Sequence, residues 1–188
     1  MKNPLFLAFL LALTNCTEPK VVDPVYAEID ALEAGEAHWK YLEQLFQDDQ
    51  ELRQGQSSQL MLQYGKESPE FQAFQEQFNA RDALNLKKTE YYLKQYGYPT
   101  VEEVGELAAA AMWAVIHHAD DLDARRRNFP ALYKAYQDGA IDDAAFSMYL
   151  NRTYEQQFGE RLTLEGSFRE EQRIDTLIRA LKLPDNQK

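Results

Sequence analysis

Apolar residues recur about every three to four positions through nearly all of the chain after Asp23. This period places apolar side chains along one face of an α-helix, whereas a β-strand requires alternation at every second residue. The sequence shows no sustained two-residue alternation, no internal repeat and no domain boundary. The pattern therefore predicts an all-α protein, a single domain of about six helices with bundle-like packing.

Capping residues divide this pattern into helices. Gly97 followed by Pro99 is expected to end the second helix, and Pro130 is expected to break a later one. Most predicted helix N-termini combine an acid or hydroxyl cap with proline or with glutamate three residues later: Asp23-Pro24, Ser68-Pro69-Glu70, Thr100 with Glu103, and Ser167 with Glu170. Asp142 or Asp143 is expected to cap a further helix by itself.

Three segments have apolar faces that differ in character. The first helix is expected to bury Trp39, Leu42 and Phe46, which lie on one helical face. The second carries an aromatic stripe formed by Phe71, Phe74, Phe78, Tyr92 and Tyr96. The segment 107–116 is alanine-rich and apolar on all sides, which predicts a central helix that neighbours approach closely on every face.

The N-terminus has the pattern of a secretory signal. Lys2 precedes an uninterrupted apolar run from Leu5 to Leu13, which is far shorter than the roughly 20 residues that span a bilayer. Leu13-Thr14-Asn15-Cys16 then resembles the lipobox of bacterial lipoprotein precursors. This resemblance implies cleavage before Cys16 and attachment of a lipid to its thiol.

The resulting organisation is a signal peptide over 1–15, a lipidated tether over 16–23, a helical domain over 24–184 and a tail over 185–188. Acyl chains on Cys16 would anchor the protein to the lipid bilayer, since each buried methylene contributes about 0.8 kcal/mol. Thr17 replaces the aspartate that would indicate retention in the inner membrane. We therefore expect a protein of the bacterial cell envelope at the outer membrane, and its periplasmic or surface-facing orientation stays open.

Composition excludes several classes of function. The 188 residues contain 31 acids against 20 Lys and Arg, a formal net charge of -11, which disfavours nucleic acid as a partner. The single Cys excludes both an internal disulfide and a thiolate zinc site. No metal or other cofactor is predicted.

Polar residues on the apolar helix faces are the most informative internal feature, because a buried polar group must be paired to be tolerated. They predict an interior polar network of ion pairs and hydrogen bonds, whose expected members are Asp49, Arg53, Asp82, Asn85, His118, Asp120 and Arg152.

The order of these motifs resembles an uncharacterised bacterial helical family, catalogued as domain of unknown function 6624. The resemblance covers roughly residues 40 to 184 and rests on Asp49-Gln50-x-x-Arg53, Asp82-x-x-Asn85, Gly97-Tyr98-Pro99-Thr100, Val104-Gly105, His118-Ala119-Asp120, Tyr149-Leu150-x-Arg152 and Arg179-x-x-x-Leu183-Pro184. The chain departs from the family pattern at His117, where glutamine is expected. The resemblance implies a helical fold and no known activity.

A catalytic or metal site is the alternative interpretation of part of the network. His118, Asp120, Asp49 and Asp82 are the candidate catalytic residues, as general acids and bases or as metal ligands. Adjacent residues point about 100° apart on a helix, so His117 and His118 are poorly placed to share one ion. Because no recognised catalytic motif is present, the structural network is the preferred interpretation.

Two further features have a simple structural interpretation. The run Arg125-Arg126-Arg127 follows several acids and is expected to form a solvated, internally paired helix face rather than a site for anionic lipid or phosphate. The tyrosines are expected at the margins of the core rather than along a sugar- or peptide-binding groove.

The preferred function is a membrane-anchored envelope lipoprotein whose helical domain binds a partner protein or ligand; the alternative is an envelope enzyme or metal-binding protein.

Overall fold

The computed structural model describes residues 23–184 apart from 52 and 165. The predicted signal peptide, Cys16 and the tail over 185–188 lie outside the described residues. The described part is all-α and contains no strand, as predicted. Its helices are α1 (Pro24–Asp30), α2 (Glu36–Glu51), α3 (Gln56–Tyr64), α4 (Pro69–Tyr96), α5 (Val101–Val104), α6 (Glu106–His118), α7 (Leu122–Gln137), α8 (Asp143–Phe158) and α9 (Glu170–Leu181).

Most of the predicted helix starts are confirmed. The side chains of Asp23, Ser68 and Asp142 accept hydrogen bonds from backbone N–H groups in the first turns of α1, α4 and α8. Thr100 and Glu103 form the reciprocal capping box at the start of α5. These contacts satisfy donors that the helices themselves leave unpaired.

Helix α6 occupies the centre of the fold, as its all-round apolar sequence predicts. It contacts α2, α4, α5 and α7. Most of its buried residues up to Val115 pack with α1, α2, α4 and α5, while Trp113 and Ile116 pack in a second apolar cluster built mainly by α7, α8 and α9. The helix therefore joins the two halves of the core, and its C-terminal end lies where the polar groups of several helices meet.

Three local predictions are wrong. Trp39 is 39% exposed and Phe46 is half-buried, because Leu42 and Leu45 are the apolar residues of this helix that are buried in the core. Pro130 lies inside α7 and on its exposed side, where water can hydrogen-bond the carbonyl that proline leaves without an N–H partner. Helix α9 begins after Arg169 rather than Ser167, and Gln172 accepts from the Arg169 backbone N–H.

The structure divides the chain into more helices than the predicted number of about six. The described residues form nine, because Gly35 lies between α1 and α2, the short α3 follows Gly55, and Gly105 ends the helix that begins at Thr100 after one turn, so that α5 and α6 are separate. No helix in the described part of the chain is both long and apolar enough to cross a membrane.

Candidate functional site

A compact polar cluster links three helices at the C-terminal end of α6. Asp49 of α2 accepts a 2.7 Å hydrogen bond from His118 Nδ1 through Oδ2, and a 3.1 Å bond from Arg53 through Oδ1. Arg53 also donates to Asp82 of α4 at 2.7 Å. Gln50 completes the shell around Asp49 by donating to Oδ2 at 2.7 Å. Four of the predicted network residues are therefore brought together.

The two carboxylates of this cluster respond differently to the same arginine. Burial by itself would raise the pKa of Asp49, but the hydrogen bonds from His118 and Arg53 outweigh it and lower that pKa below 3.8. For Asp82, burial dominates over the bond from Arg53, and the pKa is raised. Asp49 is thus the firmly ionised centre of the cluster.

The centre of the cluster is closed to a ligand, while the side chains of Arg53, Asp82 and His118 are each about one-fifth exposed. Asp49 is almost completely buried, and none of the four side chains lines any of the three cavities found in the described residues. Nor does the described part of the chain contain a group of three or more His, Cys, Asp or Glu side chains arranged to hold a metal ion. Arg53 bridges the two carboxylates of α2 and α4, and His118 joins Asp49 to α6, which favours a structural role.

Three predicted network members lie elsewhere, and the prediction of one interior network is corrected accordingly. Asp120 pairs with Arg152 at 3.0 Å, and their side chains are 79% and 37% exposed, because Asp120 follows the end of α6 and faces solvent. Asn85 is buried on α4, but its amide atoms hydrogen-bond to no described residue. The candidate set His118, Asp120, Asp49 and Asp82 therefore does not converge on one site.

The largest of these three cavities is a groove of about 1070 Å³ beside α8, which reaches the C-terminal end of α6 at His117. Its apolar parts include Met148 and Leu162. Its polar and charged lining comes from four segments of the chain and comprises His117, Asp120, Ser147, Asn151, Arg152, Glu155, Gln156, Arg161, Glu170 and Arg173. This groove combines apolar surface with convergent polar groups, as ligand sites do.

His117 forms part of the floor of the groove. Its ring stacks on Trp113, with ring centroids 4.8 Å apart, and only 8% of the residue is exposed. Its Nδ1 atom is buried and hydrogen-bonds to no described residue. Burial, reinforced by repulsion from Arg125, lowers the pKa of His117 to about 3, so the ring is neutral at physiological pH.

Arg125 lies directly behind this floor and is fully buried. It donates to the carbonyl oxygens of His117, Ala119 and Tyr149 and to the hydroxyl of Thr153. Within the described residues, none of its hydrogen bonds runs to a carboxylate. Burial lowers the pKa of Arg125 to about 10, which still leaves the guanidinium charged at neutral pH.

The interpretation of Arg125-Arg126-Arg127 as a solvated face is wrong for its first member, because the bend after α6 presents backbone carbonyls that Arg125 binds. Arg126 donates to Gln157 and to the Leu181 carbonyl, and only Arg127 forms exposed ion pairs, with Glu90 and Asp121.

Ion pairs line the walls of the groove. Besides Arg152 with Asp120, Arg161 pairs with Glu155 at 3.0 Å. Arg173 lies 3.8 Å from Glu170. Three lining arginines thus balance three lining acids, and the positive charge of Arg125 behind the floor is additional.

The tyrosines divide between core and surface. Tyr149 is fully buried and Tyr92 nearly so, whereas Tyr96 is exposed. Tyr92 and Tyr96 line a second cavity, of about 470 Å³, together with His38, whose Nδ1 lies 2.8 Å from the Tyr92 hydroxyl. His38 and Tyr92 thus bind each other within this smaller cavity. The larger groove beside α8 is therefore the stronger candidate site.

Sequence reasoning missed His117 and Arg125 as the residues that shape the groove. His117 carried one signal, its departure from the glutamine of the resembled family. Arg125 carried none, because its acceptors are backbone carbonyls.

Comparisons with protein-family models, with curated proteins and with solved structures found no match to this chain. The resemblance to domain of unknown function 6624 stays a prediction.

Proposed function

We propose that this protein is a lipid-anchored protein of the bacterial cell envelope, and that its helical domain binds an extended segment of a partner protein in the groove beside α8. The lipid anchor is proposed from the resemblance of Leu13–Cys16 to a lipobox, and the binding role is proposed from the groove. The observation that carries the binding role is the combination of His117, Arg152 and Met148 along one open, elongated surface.

The dimensions of the groove favour an extended ligand. Its lining follows one face of α8 from Ala144 to Glu155, which corresponds to about 17 Å of helix length. An extended peptide of about five residues has the same length. Met148 is 53% exposed there, which gives an apolar side chain of the partner a surface to cover.

A binding role is also favoured by the cluster around Asp49. A general acid or base must reach substrate, and the Asp49 carboxylate is enclosed by His118, Arg53 and Gln50. The alternative, an envelope enzyme, requires His118 to act on a substrate. Replacement of His118 by Ala should therefore alter stability and leave every screened hydrolytic or transfer activity at the level of the parent.

Site-specific photocrosslinking in intact envelopes tests the groove. A benzophenone amino acid at position 148 should form an adduct with one partner protein, identified by mass spectrometry, and Arg152→Ala should abolish it. The control places the same group at position 62, where Leu62 of α3 is 84% exposed and distant in sequence from the groove. Equal adducts from both positions, or none from position 148, would overturn the binding role.

The anchor has its own test. Cys16→Ser should abolish incorporation of a labelled fatty acid and release the protein from the membrane fraction. Retention of the label in Cys16→Ser would show that the anchor assignment is wrong, without bearing on the groove.

A further inference from the structure

The floor of the groove has an excess of positive charge in a protein whose net charge is -11. Arg152 and Asp120 neutralise each other at the surface. Arg125, one layer below, is bonded only to neutral oxygens of the described residues. The carbonyls at the C-terminal end of α6 stabilise this buried guanidinium in part, and an approaching negative charge would stabilise it further.

The layer between Arg125 and the groove is a single residue thick. Arg125 binds the backbone carbonyl of His117, and the side chain of His117 lines the groove. It also binds the carbonyl of Ala119, which a second lining residue, Gln156, contacts through Nε2 at 3.2 Å. A negative group on this floor would therefore be attracted by the Arg125 charge, and the intervening carbonyls would offset part of that attraction.

Two donors are placed to hold such a group. Arg152 uses one Nη2 bond for Asp120, and its planar guanidinium has further N–H groups for a second acceptor. His117 lines the same floor, and its neutral ring carries one N–H donor; its Nδ1 is buried and unpartnered among the described residues, so a ligand would contact the part of the ring that lines the groove.

We propose that the groove floor between His117 and Arg152 binds a carboxylate side chain of the partner segment, with Arg125 as the buried positive charge behind it. The inference rests on the proposed function and names the chemistry of the ligand. A carboxylate is favoured over a phosphate because a doubly charged phosphate would be repelled more strongly by Asp120, Glu155 and Glu170, the acids that also line the groove. The rest of the segment would place an apolar side chain against Met148 and Leu162.

A small probe tests the floor without knowledge of the partner. N-acetylglutamate N-methylamide, titrated into the folded domain and followed by NMR, should shift the His117 amide and the Arg152 side-chain Nε–H signals. We expect saturation with a dissociation constant on the order of 1 mM, as is usual for a fragment of this size. The glutamine analogue, which lacks only the charge, should bind about tenfold more weakly or worse.

Arg152→Gln should weaken binding of the glutamate probe by about tenfold or more. Arg81→Gln is the matched control, since Arg81 is exposed to the same degree and pairs with acids on a different face of the molecule. That variant should bind as the parent does.

Three outcomes would overturn the carboxylate assignment: no saturable shift at the floor, equal binding of the glutamine analogue, or tighter binding of inorganic phosphate. The crosslinking experiment remains separate. If a partner is captured at position 148 but the glutamate probe does not bind, the proposed function stands and the carboxylate assignment is rejected. If the probe binds but no partner is captured, the partner role alone is rejected.

Discussion

His118 of α6 donates a 2.7 Å hydrogen bond from Nδ1 to the carboxylate of Asp49 on α2, across 69 residues of sequence. Through Arg53, the same carboxylate is connected to Asp82 on α4. This chain of bonds crosses three helices that pack around one end of the core. We infer that it fixes the relative position of these helices where apolar packing alone would permit sliding.

Arg53→Ala should destabilise the protein by about 3 kcal/mol, because it leaves the buried carboxylate of Asp49 and the partly buried carboxylate of Asp82 without their shared cation. The measurement is urea denaturation at neutral pH. Arg161→Ala provides the control, since the exposed pair of Arg161 with Glu155 should contribute less than about 1 kcal/mol. Equal stability of Arg53→Ala and the parent would mean that the cluster contributes little.

The members of this cluster could be predicted because burial follows from helical periodicity. Asp49 and Arg53 lie one turn apart on a face that also carries Leu42, and Asp82 interrupts the aromatic stripe of α4. Periodicity shows which residues share a face, but it does not show which part of that face a neighbouring helix covers. Trp39 and Asp120 were assigned to the interior for this reason, and both are exposed.

His117 should make the protein sensitive to acid between about pH 6.5 and pH 3. In the unfolded chain the imidazole binds a proton below about pH 6.5, whereas burial and Arg125 prevent this in the folded state until about pH 3. The unfolded state therefore binds more protons in this window, and stability falls as the pH falls, by up to about 1.4 kcal/mol per pH unit.

His117→Gln removes the titratable imidazole and keeps a polar side chain of similar length. Denaturation curves measured across the window should show a shallower loss of stability in the variant than in the parent. The carboxylate Asp49, whose lowered pKa also makes stability fall in acid, is common to both proteins and cancels in the comparison. Parallel pH profiles would show that His117 is accessible to protons in the folded state.

Arg125→Lys should destabilise the protein by about 3 kcal/mol although the charge is kept. The guanidinium fork reaches four acceptors, three of which are backbone carbonyls, and a single ammonium group cannot span them all. Arg127→Lys, on the exposed side of the same helix, should change stability by less than about 1 kcal/mol. Thermal or urea unfolding distinguishes the two variants.

The role of Arg125 shows where sequence reasoning stops. A run of three arginines after several aspartates is most simply paired in solvent, and Arg127 does behave in this way. Arg125 is different because α7 turns its first residues toward the C-terminal carbonyls of α6, a relationship between backbone segments that no side-chain pattern records. The groove was missed for the same reason, since its floor is set by this turn.

Asn85→Leu should stabilise the protein by about 1–2 kcal/mol, because Asn85 is 1% exposed and its amide oxygen and nitrogen reach no partner among the described residues. Leucine has the same branching and the same number of side-chain heavy atoms, so it suits the site sterically. Asn79→Leu, on the exposed side of the same helix, controls for helix propensity and should gain only a few tenths of a kcal/mol. Loss of stability in Asn85→Leu alone would show that the amide is hydrogen-bonded in solution, and that this polar position is retained to specify how α4 packs in the core.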